Sequence, residues 1–150
     1  MDRKMNMQQT QAPSMAWADM GIDPWEALSI ARRHFEQIPA SAADVYPVRR
    51  LDRSGERYYL ITFAAAPRRV VVVGANGEIE EAGVIEGVGP HLSVSAHDAE
   101  LCAGIAEGRA AGLVWTPGPA SRSPLHPLWE IRGRDATVYV DQHGKVWPTI

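Results

Sequence analysis

A chain of 150 residues with 45% apolar and 22% charged side chains can build one core of its own, and its composition is neither that of a disordered nor of a membrane-embedded chain. Its 15 basic and 18 acidic residues, a net charge of −3, give no overall attraction for phosphate backbones and argue against nucleic acid as a partner. The single cysteine, Cys102, excludes an internal disulfide framework and fits a reducing compartment.

Residues 1–22 hold all five methionines and no apolar block of secretory-signal length, so they read as a flexible tail of a cytoplasmic protein. The longest aliphatic run, Val70 to Val73, is closed off by Arg69 and Gly74, far short of a membrane span. No membrane contact is expected.

Regular structure is predicted from Asp23, where Asp23-Pro24-Trp25-Glu26 combines a capping carboxylate, a proline at the first helical position and an acid at the third. Leu28, Ala31, Phe35 and Ile38 then recur on one helical stripe that Pro39 ends. Val45, Tyr46 and Val48 make a short strand. Pro47 inside it points to a sheet edge or a bulge. Turn residues follow at Asp52-Arg53-Ser54-Gly55, then two strands, Tyr58 to Phe63 and Val70 to Val73, with a reversal at Pro67. Asn76-Gly77 supplies a tight turn, and Glu78 to Ala82 a fourth short piece.

Gly83, Gly87, Gly89 and Pro90 mark a junction over 83–94. A second helix opens at Ser95, with Asp98 three residues on and Leu101, Cys102, Ile105 and Ala106 as its apolar stripe. On that stripe Cys102 is a small core filler. Leu113 to Trp115 is the next strand. Pro117 to Pro124 is a stiff loop of the kind where partners often touch. A closing hairpin, Leu128 to Arg132 against Ala136 to Asp141, leads through Gln142-His143-Gly144 to Val146-Trp147. Trp25, Trp115, Trp129 and Trp147 read as core anchors and Trp17 as part of the tail.

The plan repeats, and predicts an α+β protein of two tandem helix-then-antiparallel-meander units, 23–82 and 95–150, sharing one compact domain with both helices on one face of the sheet. The ending Val138-Tyr139-Val140-Asp141-Gln142-His143-Gly144-Lys145-Val146 resembles the repeats of the PepSY-like family, which close on an apolar strand, an Asp, a Gly and an aliphatic residue. Val71-Val72-Val73-Gly74-Ala75-Asn76-Gly77-Glu78-Ile79 is similar, with Gly74 in place of the Asp. The resemblance implies a cystatin-like fold and a peptidase-inhibitory or protein-binding role.

Period-two alternation carries the functional expectation. With Tyr59, Ile61, Phe63, Val71, Val73, Trp129, Ile131, Val138 and Val140 turned to the helices, Tyr58, Leu60, Val70, Val72, Leu128, Arg132 and Tyr139 fall on the outer face. That face is too apolar to stay wet. The proline loop or the tail folds over it, or a protein or peptide partner or a second copy covers it. The arginine pairs at 32–33, 49–50 and 68–69 read as solvated edges.

No catalytic, metal or cofactor site is expected. His91, His97, His126 and His143 lack the spacing of a metal site, Cys102 has no neighbouring base, and Gly87-Val88-Gly89-Pro90 lacks the rest of a nucleotide fingerprint. Asp141 and Gly144 supply too few oxygens for calcium. The expected function is therefore a non-catalytic protein- or peptide-binding module, in a narrower form an inhibitor or immunity-type partner. The alternative is a small-ligand sensor or cryptic enzyme using a cavity between helix and sheet.

Overall fold

The computed structural model describes residues 5–7, 21–35, 43–53, 55–65, 67–87 and 89–150. Its elements in chain order are β1 (Met5–Met7), α1 (Pro24–His34), β2 (Ala43–Arg50), β3 (Arg57–Phe63), β4 (Arg68–Gly74), β5 (Ile79–Ile85), α2 (Ala96–Ala103), β6 (Arg109–Trp115), β7 (Leu128–Arg132), β8 (Thr137–Val140) and β9 (Val146–Trp147). All the strands belong to one mixed sheet, ordered β5-β4-β3-β2-β6-β7-β8-β9, with β1 pairing alongside β2. The expected tail thus contributes one strand. Trp17, Ile38 and Pro39 lie outside the described residues.

Two helix-then-meander units on a common face are not what forms. The sheet dominates, with 41% of the described residues in strand and 16% in helix, and the two short helices lie on opposite faces. Ala27, Leu28 and Ala31 of α1 pack with Tyr59, Ile61, Phe63, Val71 and Val73. Ala99 of α2 packs with Tyr58, Leu60, Val70, Val72, Trp129, Ile131 and Val140. Neighbouring residues of β3 and β4 therefore serve different cores, and both faces of these strands are dry.

The parallel pairing of β2 with β6, Val48 with Leu113 and Arg50 with Trp115, decides which faces match. It aligns Trp129 and Ile131 with Tyr58 and Leu60, not with Tyr59 and Ile61 as the separate alternations suggested. A register offset of one residue exchanges faces, and no residue within either half of the chain reports that offset.

Both helix starts follow local chemistry. The Asp23 Oδ1 accepts from the Glu26 N–H at 2.8 Å, and the Ser95 Oγ from the Asp98 N–H at 3.1 Å. The second helix is shorter than its apolar run suggested, because Gly104 adopts φ +60 and caps it after Ala103. Its inward stripe is Ala96, Ala99 and Ala103. Leu101 is 67% exposed and Cys102 is exposed as well, so neither fills the core. The first helix stops at His34, leaving Phe35 as its cap, edge-on to Phe63 with ring centroids 6.3 Å apart.

Pro47 lies in a central strand rather than at an edge. Its position is tolerable because β1 partners β2 only as far as Val45 and β6 only from Val48. Pro47 falls in the gap, where no ladder donor is required on that side. At the other end of the sheet, β5 runs through Gly83 to Ile85, taking in the first residues of the expected junction. Trp115 and Trp129 are core anchors, whereas Trp25 is 40% exposed.

Candidate functional site

The apolar surface expected to seek a partner is closed by the chain itself. Tyr58, Leu60, Val70 and Val72 have no exposed area and belong to the core under α2, together with Leu92 and Leu125. The Tyr58 hydroxyl donates to the Pro124 carbonyl at 2.7 Å, the Ser123 hydroxyl to Glu81 at 2.6 Å, the Trp115 indole to the Ser121 hydroxyl at 3.2 Å and the Trp129 indole to the Val94 carbonyl at 2.7 Å. The proline-rich loop and the segment before α2 are pinned over this half of the sheet by those bonds. These four residues offer no docking surface.

The other three residues of the expected site stand on the opposite side. The register of β6 to β9 puts Leu128, Glu130 and Arg132 on the α1 face with Tyr139 and Trp147. Since α1 packs over β3 and β4, no described helix lies over this second half of its face. Leu128 is buried there against its register partner Val114, Tyr139 is half-buried and Arg132 exposed.

Glu130 is the centre of the arrangement. Arg49 on β2 reaches it across β6 with its Nη2 at 3.0 Å and 3.1 Å from the two carboxylate oxygens, and the Arg132 Nη2 stands 3.0 Å from Oε1. On β6 the register partner of Arg49 is Val114 and that of Glu130 is Gly112, so the guanidinium reaches diagonally and meets the carboxylate beside a residue with no side chain. Gly112 is also at a register shift, with φ +133, a conformation that favours glycine.

Among the described residues, one carboxylate shared by two guanidinium groups leaves one positive charge unneutralised. Arg109 adds another, since it sits directly opposite Arg132 across the β6–β7 pair and among the described residues donates to the neutral Gly108 carbonyl and to no carboxylate. Like charges placed cross-strand oppose folding. The next residue of β2 has the reverse balance: Arg50, on the α2 face, lies between Asp52 at 3.0 Å and Glu80 at 3.1 Å and stacks on Trp115 with 4.9 Å to the ring centroid. Its hydrogen bond to Asp52 holds the Arg50 guanidinium above and the Asp52 carboxyl below their ordinary pKa values, burial opposing both.

Beside the arginines, Tyr139 pairs with Trp147 across β8 and β9, and the Lys145 Nζ lies 4.1 Å from the centroid of the Trp147 ring. The turn that delivers them is built on Asp141. Its Oδ1 accepts from the His143 and Lys145 N–H groups at 2.9 and 3.0 Å, and its Oδ2 from the Trp147 indole at 3.0 Å. Burial pushes the Asp141 carboxyl up, but these three bonds outweigh it and hold the group below its ordinary value.

The same turn occurs after β4, where Gly77 N–H bonds the Gly74 carbonyl at 2.9 Å and Gly74 N–H the Glu78 carbonyl at 2.8 Å. A Cβ on Gly74 would stand 2.6 Å from Glu80 Oε2, so a side chain here would displace the Glu80 carboxylate that the glycine leaves room for. The Asn76 side chain accepts from the Glu78 N–H.

His91 and His126 are brought together, with ring centroids 5.3 Å apart; His97 and His143 are exposed. Among the described residues no group of three His, Cys, Asp or Glu side chains is placed to hold a metal ion, and no described helix is long and apolar enough to cross a membrane. No protein family, curated protein or solved structure matches the chain.

Sequence reading missed Glu130 and Arg49 as site residues. The signal available was Glu130 itself, an acid inside the alternating run Leu128 to Arg132, but its partner on β2 lies 81 residues away.

Proposed function

We propose that the protein is a non-catalytic binding module that docks an acidic segment of a partner protein on the arginine-rich half of the α1 face. The observation that carries this reading is the excess of guanidinium over carboxylate around Glu130 in a chain whose net charge is −3. A cationic patch on an anionic protein steers acidic partners to one surface and repels them from the rest. Arg49, Arg109 and Arg132 supply planar donors suited to carboxylates. Tyr139 and Trp147 supply the rigid, amphipathic contact area that interfaces favour. An exposed thiol at Cys102 is at home in a reducing compartment, and we place the protein in the cytoplasm. An inhibitor whose target presents the acidic segment is a special case of the same mode of binding.

The test is fluorescence anisotropy with a labelled glutamate-rich peptide and a lysine-rich control. The expected result is binding of the acidic peptide alone, weakening as salt rises and falling about tenfold or more in Arg132→Glu. Equal binding of both peptides, or no effect of Arg132→Glu, would overturn the proposal. Salt-sensitive self-association without peptide binding would assign the patch to a second copy of the chain.

A further inference from the structure

An apolar cavity of about 370 Å³ lies beside Trp147, between the start of the proline-rich loop and the segment that follows β9. Pro119, Ala120, Trp147, Pro148 and Ile150 are among its walls. Its chemistry follows from those residue types. Proline has no backbone N–H to offer, and the Trp147 indole N–H is already engaged by the Asp141 Oδ2 at 3.0 Å. The ring therefore contributes apolar surface without a free donor.

Both walls are held in place by bonds of their own. On one side Gly118 and Ser121 exchange two backbone hydrogen bonds of 3.2 Å, closing a tight turn around Pro119 and Ala120. Ser121 is fixed in its turn by the Trp115 indole at 3.2 Å and by its own bond to the Ser123 carbonyl at 3.0 Å. On the other side Asp141 holds Trp147 and organises the turn that delivers it. A cavity with such walls has little order left to lose when it is filled.

Trp147 belongs to the arginine-rich face as well, as the register partner of Tyr139. The exposed Lys145 stands over the same ring, its Nζ 4.1 Å from the centroid. Among the described residues Lys145 has no ion-pair partner. A cation beside an apolar cavity favours a group that carries a negative charge next to a large apolar one. The exposed Pro119, Pro148 and Ile150 extend the apolar contact area at the mouth.

The volume is at the lower end of the roughly 300–1,000 Å³ of small-ligand sites, which suits one large side chain. An aromatic one fits best, since it buries much area with few rotatable bonds and packs well on Trp147. We propose that this cavity seats an aromatic side chain of the acidic segment, with a neighbouring carboxylate of that segment on Lys145. The docked motif is then an aromatic residue next to an acid, which a plain acidic run satisfies only in part. The inference rests on the acidic-segment reading and specifies the chemistry of the partner.

The test is fluorescence anisotropy of the full chain with two labelled glutamate-rich peptides that differ at one central residue, Phe or Ser. The expected result is binding about tenfold or more tighter for the Phe peptide, with the ratio falling towards one in Ala120→Phe, which fills the cavity. Equal binding of the two peptides would overturn the aromatic anchor and leave the acidic-segment reading standing; no binding of either would overturn both. An unchanged ratio in Ala120→Phe would place the aromatic residue elsewhere and overturn the assignment. So would competition by free 3-phenylpropionate as strong as that of the Phe peptide, which would make this a small-ligand cavity. If Ala120→Phe fails to fold, the Trp147 indole NMR signal of the unaltered chain decides: it should shift further with the Phe peptide, and identical shifts with both would overturn the proposal.

Discussion

Arg49 and Glu130 lie 81 residues apart in sequence and meet at 3.0 Å, bridging β2 to β7 beside the glycine of the strand between them. Glu130 is 5% exposed and is the only described carboxylate within ion-pair reach of Arg49 and Arg132. The bond therefore joins the two halves of the sheet and sets the charge of the candidate docking face. Replacing Glu130 by Gln is expected to destabilise the fold by about 1.5–3 kcal/mol, the range for hydrogen bonds to charged groups, measured by urea unfolding. Because Arg49 and Arg132 share the same carboxylate, Arg49→Ala and Arg132→Ala should be non-additive in a double-mutant cycle.

Leu60 separates the expected surface from the observed core. Fully buried beneath the proline-rich loop, it should lose about 2–5 kcal/mol of stability on substitution by Ala. A surface leucine would lose close to nothing. Denaturant midpoints of Leu60→Ala decide between the two.

Gly74 marks a close approach. An added Cβ meets Glu80 Oε2 at 2.6 Å, and Glu80 is engaged with Arg50 at 3.1 Å. That oxygen is the far end of a flexible, partly exposed side chain and can swing aside, so Gly74→Ala should cost about 1 kcal/mol or less, the worth of the disturbed Arg50–Glu80 pair. In a Glu80→Ala background the same substitution should cost close to nothing. A loss of several kcal/mol from Gly74→Ala in either background would show that the added methyl strikes backbone and not Glu80.

Acid should weaken the fold in two stages. His91 has a folded pKa below its unfolded value of 6.5, so the unfolded chain binds more protons in that window. The stability is fully present above pH 6.5 and declines as pH falls towards the folded pKa. His126 shifts the same way, chiefly by burial against the opposing charge of Glu81, and being more exposed contributes less. Asp141, lowered from 3.8, contributes stability present above that value and lost as pH falls through its folded pKa. The unfolding midpoint should drop between pH 7 and pH 5, and His91→Gln should flatten this first stage while leaving the second.

Local chemistry was readable in the chain. Asp23 and Ser95 announce the helix starts, Gly77 and Gly144 take the positive φ that their turns require, and the β-branched runs are strands. Non-local choices were not. The one-residue offset between β3 and β7 faces depends on the pairing of Val48 with Leu113, and an alternating pattern is equally consistent with either face when both are buried. For the same reason Tyr58, Leu60, Val70 and Val72 looked like a surface. The Gly104 cap was visible in sequence, but the larger residues Leu101 and Cys102 outweighed the alanines that in fact face the core. Alternation alone placed Leu128, Arg132 and Tyr139 on one face, as the register has them, although Leu128 is fully buried and offers no docking surface; the pairing of Arg49 with Glu130 was not legible, because a contact across an intervening strand leaves no local periodicity.

The most direct measurement is a two-dimensional amide and indole NMR titration of the unaltered chain with a glutamate-rich peptide. Docking on the arginine-rich half of the α1 face predicts saturable shifts at Arg132, Thr137, Tyr139 and the Trp147 indole, with the core signals of Leu60 and Val72 unmoved. Shifts confined to the α2 face, or none at peptide concentrations well above those of the protein, would contradict it.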